Sequence, residues 1–543
     1  MCIIKGDVTM NINDNFSNET NIGMTLSYDY AQQTVVNEPS FTKLQNIMAF
    51  AVALLAFFFT HLALWNVTGI FTTILYIAII TAIILFMCKS GKTFCVFNKL
   101  CAAILYLFSF VFAITANEFI KSLDVIFMTA GITYFAFSVG TGSKAPGRFF
   151  PIELIKSALQ YPFMHFSKEY KAINSTVKNS KLGSSAKLII IGLIFAVPLT
   201  CIVGALLMSA DRGVERILIN VMNFVHAQNM WTLLLEVCVS IPIGGYIYGI
   251  LYANTNPDEV TPIDEEKCER LCADARKINN TMIYTAITPI CLLYIIFFIS
   301  QANYFLSAFM GTLPENYSYA EYARKGFFEL FAIELINAAV IFFISFFSKN
   351  CGREKPKALK FYTVTISVFT LLITSTAISK MIMYINNYGL TQLRVYTTWF
   401  MMLTAIMFIF VIIKQFKKDF KCMTFGAAAF TIMFALLCFS RPDALITRYN
   451  MDHLSDTLTS YDIRVMKDMS ADAESVLLDE KYKEILQNTL SYNVSANENA
   501  NGYYSIQTYK YTYDDLINDI KRPLEEDIYC RFNLSAILIE QRI

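Results

Sequence analysis

The chain of 543 residues is 55% hydrophobic and only 16% charged, and its formal net charge at pH 7 is +1. Soluble domains carry charge on about a quarter of their residues, so this composition predicts a membrane protein. The near-neutral charge argues against nucleic-acid binding. The few histidines form no HExxH-type motif, and no phosphate-binding glycine loop is present, so we expect no metal, no other cofactor and no nucleotide-driven enzyme.

A polar, asparagine-rich stretch, residues 1–46, begins the chain and predicts a disordered tail. After it, apolar runs of about 17 to 22 residues recur, each long enough to cross a ~30 Å hydrocarbon core as a helix. The pattern predicts an all-α fold, a polytopic transmembrane bundle of about 11 helices. The predicted spans lie near residues 47–65, 69–87, 100–116, 123–139, 188–208, 230–252, 282–305, 326–347, 361–383, 395–413 and 423–439.

Lysine and arginine concentrate in every second connection between these spans, most heavily in residues 140–187 and again in residues 349–357 and 414–421. Positively charged residues in short loops stay on the cytoplasmic side of a membrane. The expected topology therefore has the amino terminus in the cytoplasm and the carboxyl terminus outside, in a multi-pass protein of the cell membrane.

The pattern of hydropathy and charge divides the chain into membrane-spanning and polar segments. Residues 140–187 mix aromatic and basic side chains, as in PGRFFPIELIKSALQYPFMHF, which fits either amphipathic segments on the membrane surface or a solvated loop. Helix-like stretches from Ala471 to Leu490 and from Leu516 to Glu540 predict a small, mainly helical soluble domain. The predicted segments are a cytoplasmic tail (1–46), a four-helix membrane segment (47–139), a basic cytoplasmic loop (140–187), a seven-helix membrane segment (188–439) and an extracytoplasmic C-terminal domain (440–543).

Several stretches serve as signatures: YAEYARKGFFEL at 319–330, YINNYGLTQLR at 384–394 and RPDALITRYN at 441–450, with RFNLS at 531–535 in support. In these stretches the chain resembles the bacterial membrane-protein family called domain of unknown function 4153/4173, over roughly residues 47–543. It departs from the family pattern at Arg441, where Asn is expected, and at Lys380, where Arg is expected. That family has no established activity, so the resemblance implies the architecture and no reaction.

Ionisable side chains are costly inside a membrane, so each one is a candidate functional residue. The predicted topology places those of the later spans in the outer half of the bilayer, where we expect them to line one water-accessible pocket beneath the C-terminal domain. The candidate ligand-binding residues are Glu236, Glu321, Arg324, Glu329, Glu334, Lys380, Tyr388 and Arg394. No catalytic residue is assigned.

Two alternatives bear on this pocket. Glu329 or Glu334 can instead pair with Lys380 simply to fasten helices together. In the inner halves of the spans the sequence shows only isolated polar residues, such as Asn337 and Ser345. This pattern argues against a continuous ion path.

The sequence therefore favours a sensor or a ligand- or partner-binding component over catalysis. A secondary transporter or permease is the alternative, and it predicts internal inverted repeats. A membrane enzyme acting on an envelope or lipid-linked substrate is a second alternative, and it predicts loss of activity on Glu329→Gln. The expected partners are the lipid bilayer and an envelope protein or small ligand at the outer face.

Overall fold

The computed structural model places most of the chain in α-helices. It describes residues 41–65, 69–178, 203, 230–256, 259–276, 278–300, 327–348, 356–417, 419–490, 493–498, 504–509, 511–526 and 533–542. Within these residues, 10 helices are long and apolar enough to cross a membrane. Large apolar side chains stay exposed along them, as lipid-facing residues do, and the predicted all-α polytopic fold is confirmed.

The first helices form one packed group. Asn117 begins the last of them, because its side chain accepts a hydrogen bond from the backbone of Ile120 at 2.9 Å. The helices are α1 (Lys43–Phe59, continued by a π-helix, Thr60–Trp65), α2 (Ile70–Lys89), α3 (Val96–Ser109), α4 (Val111–Ile114) and α5 (Glu118–Thr141).

The basic connection that follows is folded. Its elements are α6 (Phe150–Ile155), a π-helix (Lys156–Gln160), α7 (Tyr161–Met164) and α8 (Lys168–Lys178). Glu153 and Tyr161 are buried, while Ile155, Leu159 and Phe163 recur at helical spacing and are exposed. Apart from residue 203, the predicted span at 188–208 lies outside the described residues.

The chain continues from residue 230 with α9 (Met230–Thr255), which belongs to the first group of helices by its contacts. The second group follows, and its members are α10 (Glu265–Ala275), α11 (Asn280–Ser300), α12 (Phe327–Phe347), α13 (Lys357–Tyr388), α14 (Gln392–Phe416) and α15 (Cys422–Phe439). α9 packs against α1, α5, α7 and α8, whereas α13 packs against α11, α12 and α14. A stack between the rings of Phe108 and Phe434, with centroids 5.6 Å apart, joins α3 to α15.

The C-terminal domain is mainly helical and includes one hairpin. Its core contains Met451, Ile463, Leu477, Leu516 and Ile539. Strands β1 and β2 pair antiparallel from Asn493↔Tyr509 to Glu498↔Tyr504 and flank the Gly- and Asn-rich break in the sequence. The elements are α16 (Pro442–His453), α17 (Ser460–Lys467), α18 (Ala471–Leu477), a 3₁₀ turn (Glu480–Tyr482), α19 (Lys483–Thr489), β1 (Asn493–Glu498), β2 (Tyr504–Tyr509), α20 (Tyr513–Glu526) and α21 (Leu534–Arg542).

Candidate functional site

Asp472, at the start of α18, joins the C-terminal domain to the spans and is 0% exposed. Its carboxylate accepts hydrogen bonds from the Thr115 hydroxyl at 2.6 Å and from the Ala116 backbone at 2.9 Å, both between α4 and α5. From its own domain it accepts the Nε–H of Arg441 at 3.1 Å and the hydroxyl of Ser535. These donors occupy both oxygens of the buried carboxylate and fix its position.

Asp443, on α16, has the same arrangement and is also 0% exposed. The Asn117 amide donates to it at 2.7 Å, the Gln392 amide at 2.8 Å and the Ser470 hydroxyl at 2.6 Å. The second amide hydrogen of Asn117 reaches the hydroxyl of Tyr396 at 2.9 Å. Asp443 therefore connects the domain to the α4–α5 connection and to the start of α14.

A third contact holds the turn between α13 and α14. The Leu390 backbone N–H donates to Asn450 Oδ1 at 2.7 Å, and Asn450 Nδ2 donates to the Leu390 carbonyl at 2.9 Å. Gly389, with φ 75°, passes so close that a Cβ there would lie 2.4 Å from Asn450 Oδ1. We call these contacts of Asp443, Asp472 and Asn450 with residues 115–117 and 390–392 the junction. Two signature stretches, 384–394 and 441–450, meet in it.

Arg394 and Tyr388, both predicted site residues, lie together beside the junction. The Arg394 guanidinium donates to the carbonyl of Tyr388 at 2.9 Å and to that of Gly389, and it lies 3.9 Å above the ring of Tyr384. A cation at these carbonyls stabilises the carboxyl end of α13, where the helix dipole is negative. Arg394 therefore acts as a helix cap, with the Tyr388 side chain partly exposed next to it.

Glu236 lies in the other helix group. It is 3% exposed on α9, and its Oε2 is 3.0 Å from Nδ1 of His61, in the π-helix that continues α1. The pair therefore links α1 to α9, on helices that pack closely along each other.

Glu334 and Lys380 lie on the packed helices α12 and α13 and are 2% and 4% exposed. The hydroxyls of Thr404 and Thr374 hydrogen-bond to the Glu334 carboxylate. Glu321 and Arg324 lie outside the described residues, and for Glu329 only the backbone is described, within α12. The structure thus brings together Tyr388 with Arg394 and places Glu334 and Lys380 on neighbouring helices, while Glu236 pairs with His61.

Polar side chains also line the inside of the second group. Asn337 is therefore not isolated, contrary to the expectation from the sequence. Asn337 accepts a hydrogen bond from the Tyr294 hydroxyl at 2.6 Å and donates to the Thr370 hydroxyl at 2.9 Å. The same buried face of α13 carries Thr363, Ser367, Thr370 and Thr374, each donating to the carbonyl four residues earlier. From Thr363 to Thr374 this polar face of α13 extends about 16 Å at ~1.5 Å per residue.

Sequence reasoning missed Asp443 and Asp472, because acidic residues in a soluble segment look like surface residues. Only the signature stretch at 441–450 pointed to one of them. Asp124 is a further ionisable residue within a span, on α5. Asp124 is completely buried, and neither carboxylate oxygen has a hydrogen-bond partner among the described residues.

Buried acidic groups outside the spans include Glu169 on α8. Burial raises the pKa of Glu169 to about 7, because it withdraws water from the ionised form. Its carboxylate lies against α9, where a Cβ on Gly244 would be 2.8 Å from it. No group of three or more His, Cys, Asp or Glu side chains within the described residues is arranged to hold a metal ion.

Comparison with known proteins agrees with the resemblance seen in the sequence. The family described as "Domain of unknown function (DUF4153)" matches residues 101–480. No curated protein and no solved structure matches the chain.

Proposed function

Because the chain belongs to the DUF4153 family, a domain of unknown function, its role must be inferred from its own geometry. We propose that it is a membrane-embedded sensor or partner-binding component, in which the C-terminal domain and the helical bundle move as one unit. The domain faces outward and receives a small ligand or an envelope protein.

The junction is the observation that carries this proposal. Its two completely buried carboxylates, Asp443 and Asp472, receive hydrogen bonds from two separate connections between spans. Charge-assisted hydrogen bonds in a buried network fix the groups they join. A ligand or partner that shifts the domain therefore shifts residues 115–117 and 390–392, and with them the ends of α5, α13 and α14.

The ligand site in this proposal is the outer-half pocket. Glu334 and Lys380 contribute charge on α12 and α13, Glu236 contributes charge on α9 in the other helix group, and Arg394 and Tyr388 lie beside the junction. Intramembrane charges of this kind usually mark a binding site or a pathway. If these charges only hold helices together, water should not reach them, whereas a binding pocket should admit water.

Cysteine labelling distinguishes these two outcomes. Single cysteines at positions 236, 329, 334 and 380, in a variant without other thiols, are treated in intact cells with a membrane-impermeant maleimide. Position 342 is the control, because Phe342 is 67% exposed on the lipid side of α12. Labelling at the test positions and not at 342 supports an outward pocket. No labelling at any position would show that these charges only hold helices together.

Coupling through the junction is tested in the same cells. Asp472→Asn weakens the charge-assisted hydrogen bonds, so we expect labelling at positions 334 and 380 to change several-fold in rate. Asp468→Asn is the matched control, because that side chain is 61% exposed and four residues away in the same domain. Equal rates in both variants would show that the junction transmits nothing to the bundle.

Transport is a second candidate, favoured by the polar face of α13. Hydroxyls, Asn337 and Glu334 at several depths are what a proton path requires. In proteoliposomes carrying a pH-sensitive dye and an imposed proton gradient, this candidate predicts flux that Glu334→Gln abolishes and that Thr370→Val lowers. Thr285→Val, at an exposed hydroxyl of α11, is the control. Wild-type vesicles no leakier than protein-free ones would exclude proton transport.

A further inference from the structure

A cavity of about 340 Å³ lies within the first helix group, between α1, α2, α5, α7 and α9. Hydrocarbon and aromatic side chains form almost all of its wall. Representative lining residues, one or two from each helix, are Phe59, Ile79, Ile132, Phe163, Ile243 and Ile250. An apolar cavity of this kind holds hydrocarbon far better than water.

The shape of the cavity follows from the residues that line it. They extend from Tyr76 to Ile83 on α2 and from Pro242 to Ile250 on α9. At ~1.5 Å per residue these stretches are about 10 to 12 Å long, and they run along the helices. The volume is about twice the ~150 Å³ of a cavity that takes one benzene. A narrow space with these dimensions fits a segment of a linear hydrocarbon chain.

The cavity reaches the surface beside the basic connection. Phe163 lines it and is 60% exposed, and it continues the exposed apolar row formed by Ile155 and Leu159. The same connection carries Lys156, Lys168 and Lys171, and Nζ of Lys168 lies 4.8 Å from the ring centroid of Tyr252 on α9. Basic residues between or beside spans on the cytoplasmic side are a common site for anionic head groups.

We propose that this cavity binds one acyl chain of an anionic phospholipid, whose phosphate is held by the lysines of residues 156–171. The apolar wall of the cavity contacts the acyl chain, and the positive charge of the lysines attracts the negatively charged head group. This site is separate from the junction and from the outer-half charges, so it does not depend on the proposed sensor role.

Photo-labelling of the full-length protein tests the proposal. The protein is reconstituted in phosphatidylcholine vesicles with a trace of phosphatidylglycerol that carries a diazirine on one acyl chain, and labelled peptides are identified by mass spectrometry. We expect labelling within residues 76–83, 129–133 and 242–250. The same diazirine on phosphatidylcholine should label these peptides several-fold less, and equal labelling would overturn the head-group assignment.

Filling the cavity provides the matched comparison. Ile243→Trp puts a large ring into the cavity and should lower labelling of residues 76–83 several-fold. Ile241→Trp, on the same helix, changes a residue that is 65% exposed and should leave labelling unchanged. Gel filtration and thermal unfolding in detergent confirm that each variant is folded. Unchanged labelling in a folded Ile243→Trp protein would refute the site.

A photo-reactive residue separates lipid from protein as the occupant. With p-benzoylphenylalanine in place of Ile243, the proposal predicts a cross-link whose mass is that of an added phospholipid. A cross-link to the peptide of residues 188–208 would instead show that the chain's own predicted span fills the cavity, and would overturn the proposal.

Discussion

At the scale of single residues, Arg441 shows a conflict between backbone and side chain. Its φ of 49° lies in the left-handed region, where Asn is tolerated better than other non-glycine residues. Asn is also the residue that the family resemblance leads one to expect there. The Arg side chain compensates, because it donates to Asp472 at 3.1 Å and to the Ser535 hydroxyl at 2.7 Å.

Two substitutions at Arg441 separate these effects. Both Arg441→Ala and Arg441→Asn remove the guanidinium and leave Asp472 with fewer donors, so both should lower the free energy of unfolding. Arg441→Asn should cost about 1 kcal/mol less, because Asn adopts the left-handed conformation more readily. Thermal unfolding of the purified protein in detergent measures the difference. If the two variants unfold at the same temperature, the backbone of Arg441 is not strained.

At the scale of elements, the end of α13 is set by Gly389 together with its neighbour in the C-terminal domain. Gly389→Ala would place a Cβ 2.4 Å from Asn450 Oδ1 and at a φ of 75°, so the turn and the Asn450–Leu390 pair cannot both stay in place. We expect a loss of more than about 2 kcal/mol in stability, from the strain of a backbone conformation (φ 75°, ψ −177°) that is essentially restricted to glycine plus the displaced hydrogen bonds.

Gly142, which ends α5, is the matched control for this prediction. Its φ is 71°, but a Cβ there would have no atom within 4 Å. Gly142→Ala should therefore cost only the backbone strain, about 1 to 2 kcal/mol. Equal losses for the two alanine variants, measured by thermal unfolding, would mean that the contact between Gly389 and Asn450 is unimportant.

The connection between α5 and α9 carries a prediction about pH. The folded-state pKa of Glu169 is about 7 and its ordinary value is 4.5. Between these two pH values the unfolded chain loses a proton that the folded protein keeps, so stability falls as pH rises through this window and then stays constant.

Glu169→Gln removes this dependence. At pH 8 the variant should unfold at a higher temperature than the wild type, and its free energy of unfolding should be higher by at most about 3 kcal/mol. The stabilities of the two proteins should become equal near pH 4. Glu266→Gln is the control, because that side chain is 83% exposed. If the free energies of unfolding of the wild type and Glu169→Gln differ by the same amount at all pH values, Glu169 is not a buried carboxyl with a raised pKa.

At the scale of the whole molecule, hydropathy alone predicted the spans, because a helix in lipid must be apolar over a fixed length whatever its neighbours. The site was less predictable, because its contacts join distant parts of the chain. Thr115 and Asp472 are 357 positions apart, and His61 and Glu236 are 175 apart. No local pattern specifies which buried charge meets which donor. The hairpin β1–β2 was missed because its strands have few apolar residues and flank a glycine- and asparagine-rich stretch of sequence.

The orientation of the whole protein is a prediction from its charges alone. A phosphatase that is active only outside the cytoplasm, fused after Ile543, should be active, since the basic connections are expected to stay inside. A fusion in the basic connection after Lys178 should be inactive and serves as the control. The opposite pattern would reverse the topology and place the junction at the cytoplasmic face.

The length of α13 links the C-terminal domain to the thickness of the bilayer. Its 32 residues make a helix of about 48 Å, against a hydrocarbon core of ~30 Å. A helix with this much excess length tilts or protrudes, and its tilt follows the thickness of the surrounding lipid. Because Asn450 fastens the domain to the end of this helix, membranes that differ in thickness by a few ångströms should hold the domain at different angles to their surface.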